Sequence, residues 1–157
     1  MHRTTLKTIG AAALATAAIA TLGLGAPAAL AGECPADKVV AGAMKADGHT
    51  ASKDATDTVL AMTRLADHYP EINGRDFRLR YLTVAPGGEV AWHSHADRPA
   101  MIYITEGSIT EYRSDCALPI EHKAGDVAAE AGTLEHWWRN NDTATATLIS
   151  VDLPRSE

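Results

Sequence analysis

The sequence predicts an all-β barrel or sandwich behind an N-terminal arm. Two patterns carry this: short apolar runs repeat from Phe77 to the C-terminus, and Gly, Pro, Asn and Asp cut them at near-regular intervals. The strand candidates are Phe77–Ala85, Glu89–His95, Ala100–Thr105, Ser108–Arg113, Pro119–Lys123, Val127–Glu130, Glu135–Asn140 and Thr143–Leu153. The turns between them are legible as Pro86-Gly87-Gly88, Glu106-Gly107, Gly125-Asp126 and Asn140-Asn141-Asp142. Thr58–Ala66 fits either period, since Val59, Met62 and Ala66 share a helix face while Thr58, Leu60 and Met62 share a strand face; a strand is favoured.

The first 31 residues stand apart. His2, Arg3 and Lys7 make a short basic start, an uncharged Ala-rich run follows, and Ala29-Leu30-Ala31 is a small-x-small end. Residues 1–31 therefore read as a secretory signal, 32–75 as an arm with the first strand, and 76–157 as the barrel domain. A retained anchor is the alternative, but the run is mostly Ala and no strong stop-transfer flank follows. The expected location is periplasmic or secreted, with no membrane span after cleavage.

Without Arg3 and Lys7 the chain keeps 12 of its 14 basic residues against 20 acidic ones, a net charge of about −8. Such a surface repels phosphate backbones, and no basic run or aromatic stacking platform appears, so nucleic acid is excluded as a partner. A small-molecule ligand or substrate is expected instead. Cys34 and Cys116 are an even pair in an exported chain and are expected to form a disulfide; two unrelated thiols are the alternative.

Side chains alternate across a strand, so His93 and His95 point one way and Ser94 the other. Two imidazoles about 6 to 7 Å apart on one face can converge on one ion. By itself His-x-His is a weak signal. His136, on a late strand within a second glycine-punctuated segment, strengthens it.

With these residues the sequence resembles the cupin family from about Phe77 to Leu153. Gly87, His93, His95 and Gly107 match the family's first motif, and Gly125, His136 and Asn140 match its second. Ala131 holds the second motif's proline position, and its inner glycine is displaced to Gly132. The resemblance implies a double-stranded β-barrel of jelly-roll type with a metal inside, held by ligands from both motifs, and homodimers formed along barrel edges.

One departure matters: the family's glutamate ligand falls at Ala100, which has no donor. Glu106 shares that strand face but lies about 20 Å further along at roughly 3.3 Å per residue. Asp97 is nearer to His95 and is the better substitute. The site is then either a three-histidine centre for one divalent transition metal or a polar pocket that has lost it; the three surviving histidines favour metal. Some cupin dioxygenases use three histidines, so the resemblance implies an iron-dependent, dioxygenase-like oxidoreductase on a small chelating substrate, with Fe ahead of Mn, Ni, Cu or Zn. A non-catalytic cupin that binds a metal or small ligand is the alternative.

The remaining assignments are local. Trp138 shares a face with His136 and either contacts substrate or fills the core. Arg98 either clamps an anionic ligand at the mouth or is a solvated surface arginine. Glu130 is a candidate acid/base group or a partner behind the ligands. Met101, Tyr103 and Trp137 read as packing residues, and His49, His68 and His122 as surface histidines. N-terminal sequencing of exported protein is expected to return Gly32; a chain that still begins at Met1 would overturn the leader reading.

Overall fold

A computed structural model describes residues 32–157; the leader and the expectation of its removal lie outside the described residues. Eight strands follow a short N-terminal arm: β1 Lys53–Arg64, β2 Asp76–Ser94, β3 Ala100–Glu106, β4 Ser108–Arg113, β5 Ile120–Lys123, β6 Val127–Glu130, β7 Glu135–Arg139 and β8 Ala146–Asp152. All pairings are antiparallel, in the order β5-β4-β7-β2-β8-β3-β6, with β1 added to β2. The sheet curls into a nearly closed barrel, the all-β architecture expected from the sequence.

The main difference concerns Pro86-Gly87-Gly88, read as a turn between two strands. β2 runs straight through it as one element of 19 residues. Its first half pairs with β1 and β8, and its second half with β7, so one bent strand serves both walls of the barrel. The bend is possible because of Gly88: a Cβ there would lie 2.7 Å from the Asp54 carbonyl oxygen and 2.8 Å from that of Ala85. Asn140 locks the same corner. Its side-chain amide donates to the carbonyls of Val84 at 2.8 Å and Ala144 at 2.7 Å, and its backbone N–H donates to Gly88 O at 3.0 Å. Gly107, at φ +73°, likewise packs where a Cβ would meet Thr145 O at 2.7 Å.

Alternation sorts the side chains. Leu82, Val84, Ile102, Ile104, Ile109, Ala128, Trp138, Ala146 and Leu148 fill the interior, each large one stabilising the fold by about 1.5 to 3 kcal/mol. Met101 and Tyr103, expected to pack, face outward at 63% and 46% exposure because their strand partners Ala100, Ile102 and Ile104 take the inner face. β1 begins at Lys53 rather than Thr58, and its residues are nearly all exposed, as befits an added edge strand. Trp137 is buried, but on the opposite face from Trp138, between the rings of His49 at 3.5 Å and Tyr112 at 4.1 Å. His49 also bonds Glu89 at 2.8 Å and is half-buried rather than a free surface residue.

The arm is fastened to the barrel. Cys34 and Cys116 form a disulfide, Val40 N–H donates to Asp115 O at 3.0 Å, and Ala43 N–H donates to Ser114 O at 2.8 Å. The bridge closes a loop with a sequence separation of 82, which in the chain-entropy account stabilises the fold by about 4 to 5 kcal/mol. Thiol titration of denatured, unreduced protein is expected to find no free thiol. The double variant Cys34→Ser/Cys116→Ser should melt several degrees lower; parental melting would mean that the bridge does not stabilise the fold.

Candidate metal centre

β2 and β7 set the centre. His93 lies directly opposite His136 in their ladder, and Val90 lies opposite Trp138. Between these two pairs β2 spends two residues, Ala91 and Trp92, against the single Trp137 of β7. That bulge turns Val90 and His93 toward the same interior, although their odd spacing would send them to opposite faces of a regular strand. His95 follows just past the strand end and is fully buried.

The three rings meet through one nitrogen each. His136 Nε2 is 3.1 Å from His93 Nε2 and 3.0 Å from His95 Nε2. Their other nitrogens are all taken: His93 Nδ1 faces Ala91 O at 2.7 Å, His95 Nδ1 faces Arg98 O at 2.8 Å, and His136 Nδ1 faces Glu111 Oε1 at 2.5 Å. Carbonyl and carboxylate oxygens only accept, so each neutral ring carries its proton on Nδ1 and presents a lone pair at Nε2. Three lone pairs at hydrogen-bond distance with no proton between them repel one another. A cation resolves that repulsion.

Glu130 completes the donors. Its Oε2 is 3.2 Å from His95 Nε2 and its Oε1 is 3.4 Å from His136 Nε2. Oε1 is buried without a hydrogen-bond partner among the described residues, so the carboxylate lacks what an ion would give it. One ligand atom from each of His93, His95, Glu130 and His136 lies within 4.8 Å of the others. Three imidazoles and a carboxylate suit a divalent transition metal such as iron, manganese, nickel or zinc. The cluster could therefore bind a metal ion.

Two assignments change here. Glu130, read from the sequence as an acid/base group or a group behind the ligands, stands among the donors. It pairs directly across from Ala100 in the β3–β6 ladder, so a carboxylate reaches the site from the neighbouring strand. Asp97 does not join the cluster: its side chain is 68% exposed and accepts from Arg155 at 2.7 Å. Its turn points outward, a direction that strand parity could not give.

Glu111, for which no sequence motif speaks, and His122, a surface residue by sequence pattern, are both fully buried. Glu111 accepts from His136 Nδ1 and, at 3.0 Å, bonds His122 Nε2, with Arg113 at 3.7 Å. Parity held the clue, because Glu111 alternates with Ile109, and His122 with Ile120, on inward positions of β4 and β5. Gly32 packs against the far side of this pair, where a Cβ would sit 2.6 Å from His122 Nδ1.

These surroundings set the charges. Burial, with His136 adding, lowers His93 to about 4 and His95 to about 3, so both rings are neutral donors at ordinary pH. Burial also pushes Glu130 up to about 7, partly offset by His136. For Glu111 burial acts upward too, but the bonds to His122 and His136 outweigh it and bring the group down to about 2.

A cavity of about 240 Å³ opens beside the donors, lined by His93 and Glu130 together with Asp57, Arg80, Arg98, Trp138 and apolar side chains. Arg98 and Trp138 thus both face the space next to the cluster. No helix among the described residues is long and apolar enough to cross a membrane.

Residues 80–152 match the cupin domain family. Solved structures that share the fold include the following three. A predicted oxalate decarboxylase from Thermotoga maritima is 19% identical, with 65% of this chain and 81% of that one covered at a TM-score of 0.52. An uncharacterized conserved protein with a double-stranded β-helix domain from Klebsiella pneumoniae is 18% identical, with 72% and 90% covered at 0.54. KdgF from Halomonas is 12% identical, with 71% and 92% covered at 0.52. No curated protein gives a significant match. With both motifs, the barrel and the domain match in place, residues 80–152 are a cupin domain.

Element analysis of metal-loaded protein is expected to find about one ion per chain in the parent and in Asp97→Ala, and little in His93→Ala, His95→Ala or His136→Ala. Binding needs the Glu130 carboxylate, whose folded value near 7 means that it holds a proton below that pH. Affinity should therefore rise as pH climbs from 5 to 7 and then level off. Glu130→Gln should bind more weakly and lose that slope; an unchanged slope would remove Glu130 from the donor set.

Proposed function

We propose that the chain is an exported mononuclear metal cupin, a dioxygenase-like oxidoreductase that acts on a small chelating substrate with iron as its metal. The observation that carries the reading is the convergence of three Nε2 atoms and the Glu130 carboxylate beside a cavity of small-molecule size. Four protein donors leave a six-coordinate ion two positions for exogenous ligands. A divalent iron held there would supply electrons to oxygen and polarise a chelating substrate.

The chain's own residues do the rest. Glu111 fixes the tautomer and direction of His136, and the carbonyls of Ala91 and Arg98 do so for His93 and His95. Leu82, Ile102, Ile109 and Leu148 wall the cavity against water, and Trp138 offers a flat apolar surface to a substrate body. Export is supported by the basic start, the uncharged run and the small-x-small end, and the Cys34–Cys116 bridge is compatible with an oxidising compartment.

Oxygen-electrode assays of iron-loaded protein with a panel of small chelators, catechols and 2-hydroxy acids among them, test this. Uptake of oxygen matched by loss of one chelator, and abolished in His136→Ala, is the expected result. Chelator binding with no oxygen uptake across the panel would replace the enzyme reading with that of a binding protein.

A further inference from the structure

His122 is buried with half of its ring unaccounted for. Its Nε2 bonds Glu111 Oε2 at 3.0 Å, and a carboxylate only accepts, so that nitrogen carries a proton. Its Nδ1 is buried without a hydrogen-bond partner among the described residues. Both side chains are fully buried, and a polar atom left unmatched in such a place is costly and uncommon.

The atom is covered rather than remote. Gly32 sits on it: the point where a Cβ would stand at Gly32 is 2.6 Å from His122 Nδ1, 2.9 Å from Cε1 of the same ring and 3.3 Å from Val127 O. For a carbon that point is a clash. For an amine nitrogen, with a few tenths of an ångström of give, it is within hydrogen-bond reach of both Nδ1 and the carbonyl oxygen. Nitrogen and Cβ occupy two corners of the same Cα tetrahedron at similar bond lengths, so a turn of about 120° about the Gly32 Cα–C bond carries one to the place of the other.

That turn depends on what the nitrogen is joined to. While residue 31 is attached, it is a peptide nitrogen with a single hydrogen, and turning it drags the preceding chain along. A cut after Ala31, which the small-x-small end predicts, makes it a terminal amine with several hydrogens and nothing else to move. The amine also stays close, because the Cys34–Cys116 bond fixes the chain just beyond it.

We propose that removal of residues 1–31 frees the Gly32 amine to swing onto His122 Nδ1, with Val127 O as its second partner. Whichever of the two nitrogens holds the shared proton, the bond joins the same atoms. It closes a chain that runs from the new N-terminus through His122 and Glu111 to His136 Nδ1, which Glu111 bonds at 2.5 Å. The amine is thereby a positioning group for one metal donor, set in place by processing. This rests on the leader and metal readings above.

Two disulfide-intact chains test it, one beginning at Gly32 and one at Ala31, each isotope-labelled at histidine nitrogen and stripped with chelator. The His122 Nδ1 resonance is expected to differ by several ppm between them, while those of the exposed His68 stay put. Acylation of the Gly32 amine should be slower by about tenfold or more in the folded parent than in His122→Ala, the factor that one charge-assisted bond carries. Zinc affinity should be severalfold lower in the chain that begins at Ala31. An unmoved His122 resonance, or equal acylation in His122→Ala, would overturn the docking; if that variant does not fold, the resonance decides. Equal zinc affinity in the two chains would overturn the positioning role. Exported protein that begins at a residue other than Gly32 would remove the leader reading and the docking with it. A parent that takes up no zinc but shows the shifted resonance would remove the metal reading and keep the docking.

Discussion

Everything at the centre follows from where three protons sit. The Nδ1 atoms of His93, His95 and His136 each face an oxygen that can only accept, so their Nε2 lone pairs have nowhere to point but at one another. Such a cluster is unfavourable by itself and becomes favourable around a cation. The fold holds it in place through long-range constraints, because the three acceptors come from different places: a carbonyl within the β2 bulge, a carbonyl after the turn at Asp97, and a side chain on β4. None of them could be moved by a rotamer change in the histidines alone.

β2 is the element that makes those constraints consistent. Its first half shares hydrogen bonds with β8, whose last residue, Asp152, pairs with Arg78 and Arg80; its second half carries His93, and His95 follows just past its end. Arg78, Arg80 and His93 therefore share one continuous backbone that bends at Gly88 and bulges before His93. A true turn at Pro86-Gly87-Gly88 would leave the two walls connected but independently oriented. The long strand instead couples their relative position to a single, glycine-dependent corner, clipped by the amide of Asn140.

The sequence made much of this legible. Period-two alternation and turn residues place most strands to within a residue or two, and the resemblance of Gly87, His93, His95, Gly125 and His136 to the two cupin motifs implies that the histidines share one region. What it left hidden was set by partners rather than by local pattern. Glu130 has the inward parity of Ala128, but that it lies across from Ala100 depends on the register of β3 with β6. Glu111 and His122 alternate with Ile109 and Ile120, a readable signal; polar residue types argue for the surface, and only their mutual bond explains why they are inside. Asp97 is close to His95 in sequence and turned away in space, because it sits in a loop with no strand to fix its direction.

The two buried glutamates show how one barrel gives the same side chain opposite properties. Both are desolvated, which raises each of them. Glu111 has His122 and His136 as bonding partners and Arg113 beside it, and these reverse the effect of burial. Glu130 faces lone pairs and an unmade bond at Oε1, so burial wins and the group rests near 7. The first is a permanent anion whose work is to hold an imidazole; the second is an anion only when a cation, or a pH above its own value, makes it one. Placing the permanent charge behind His136 and the conditional one in front limits the negative charge that gathers at the centre. It also gives an incoming metal a proton to displace from Glu130 rather than from a histidine.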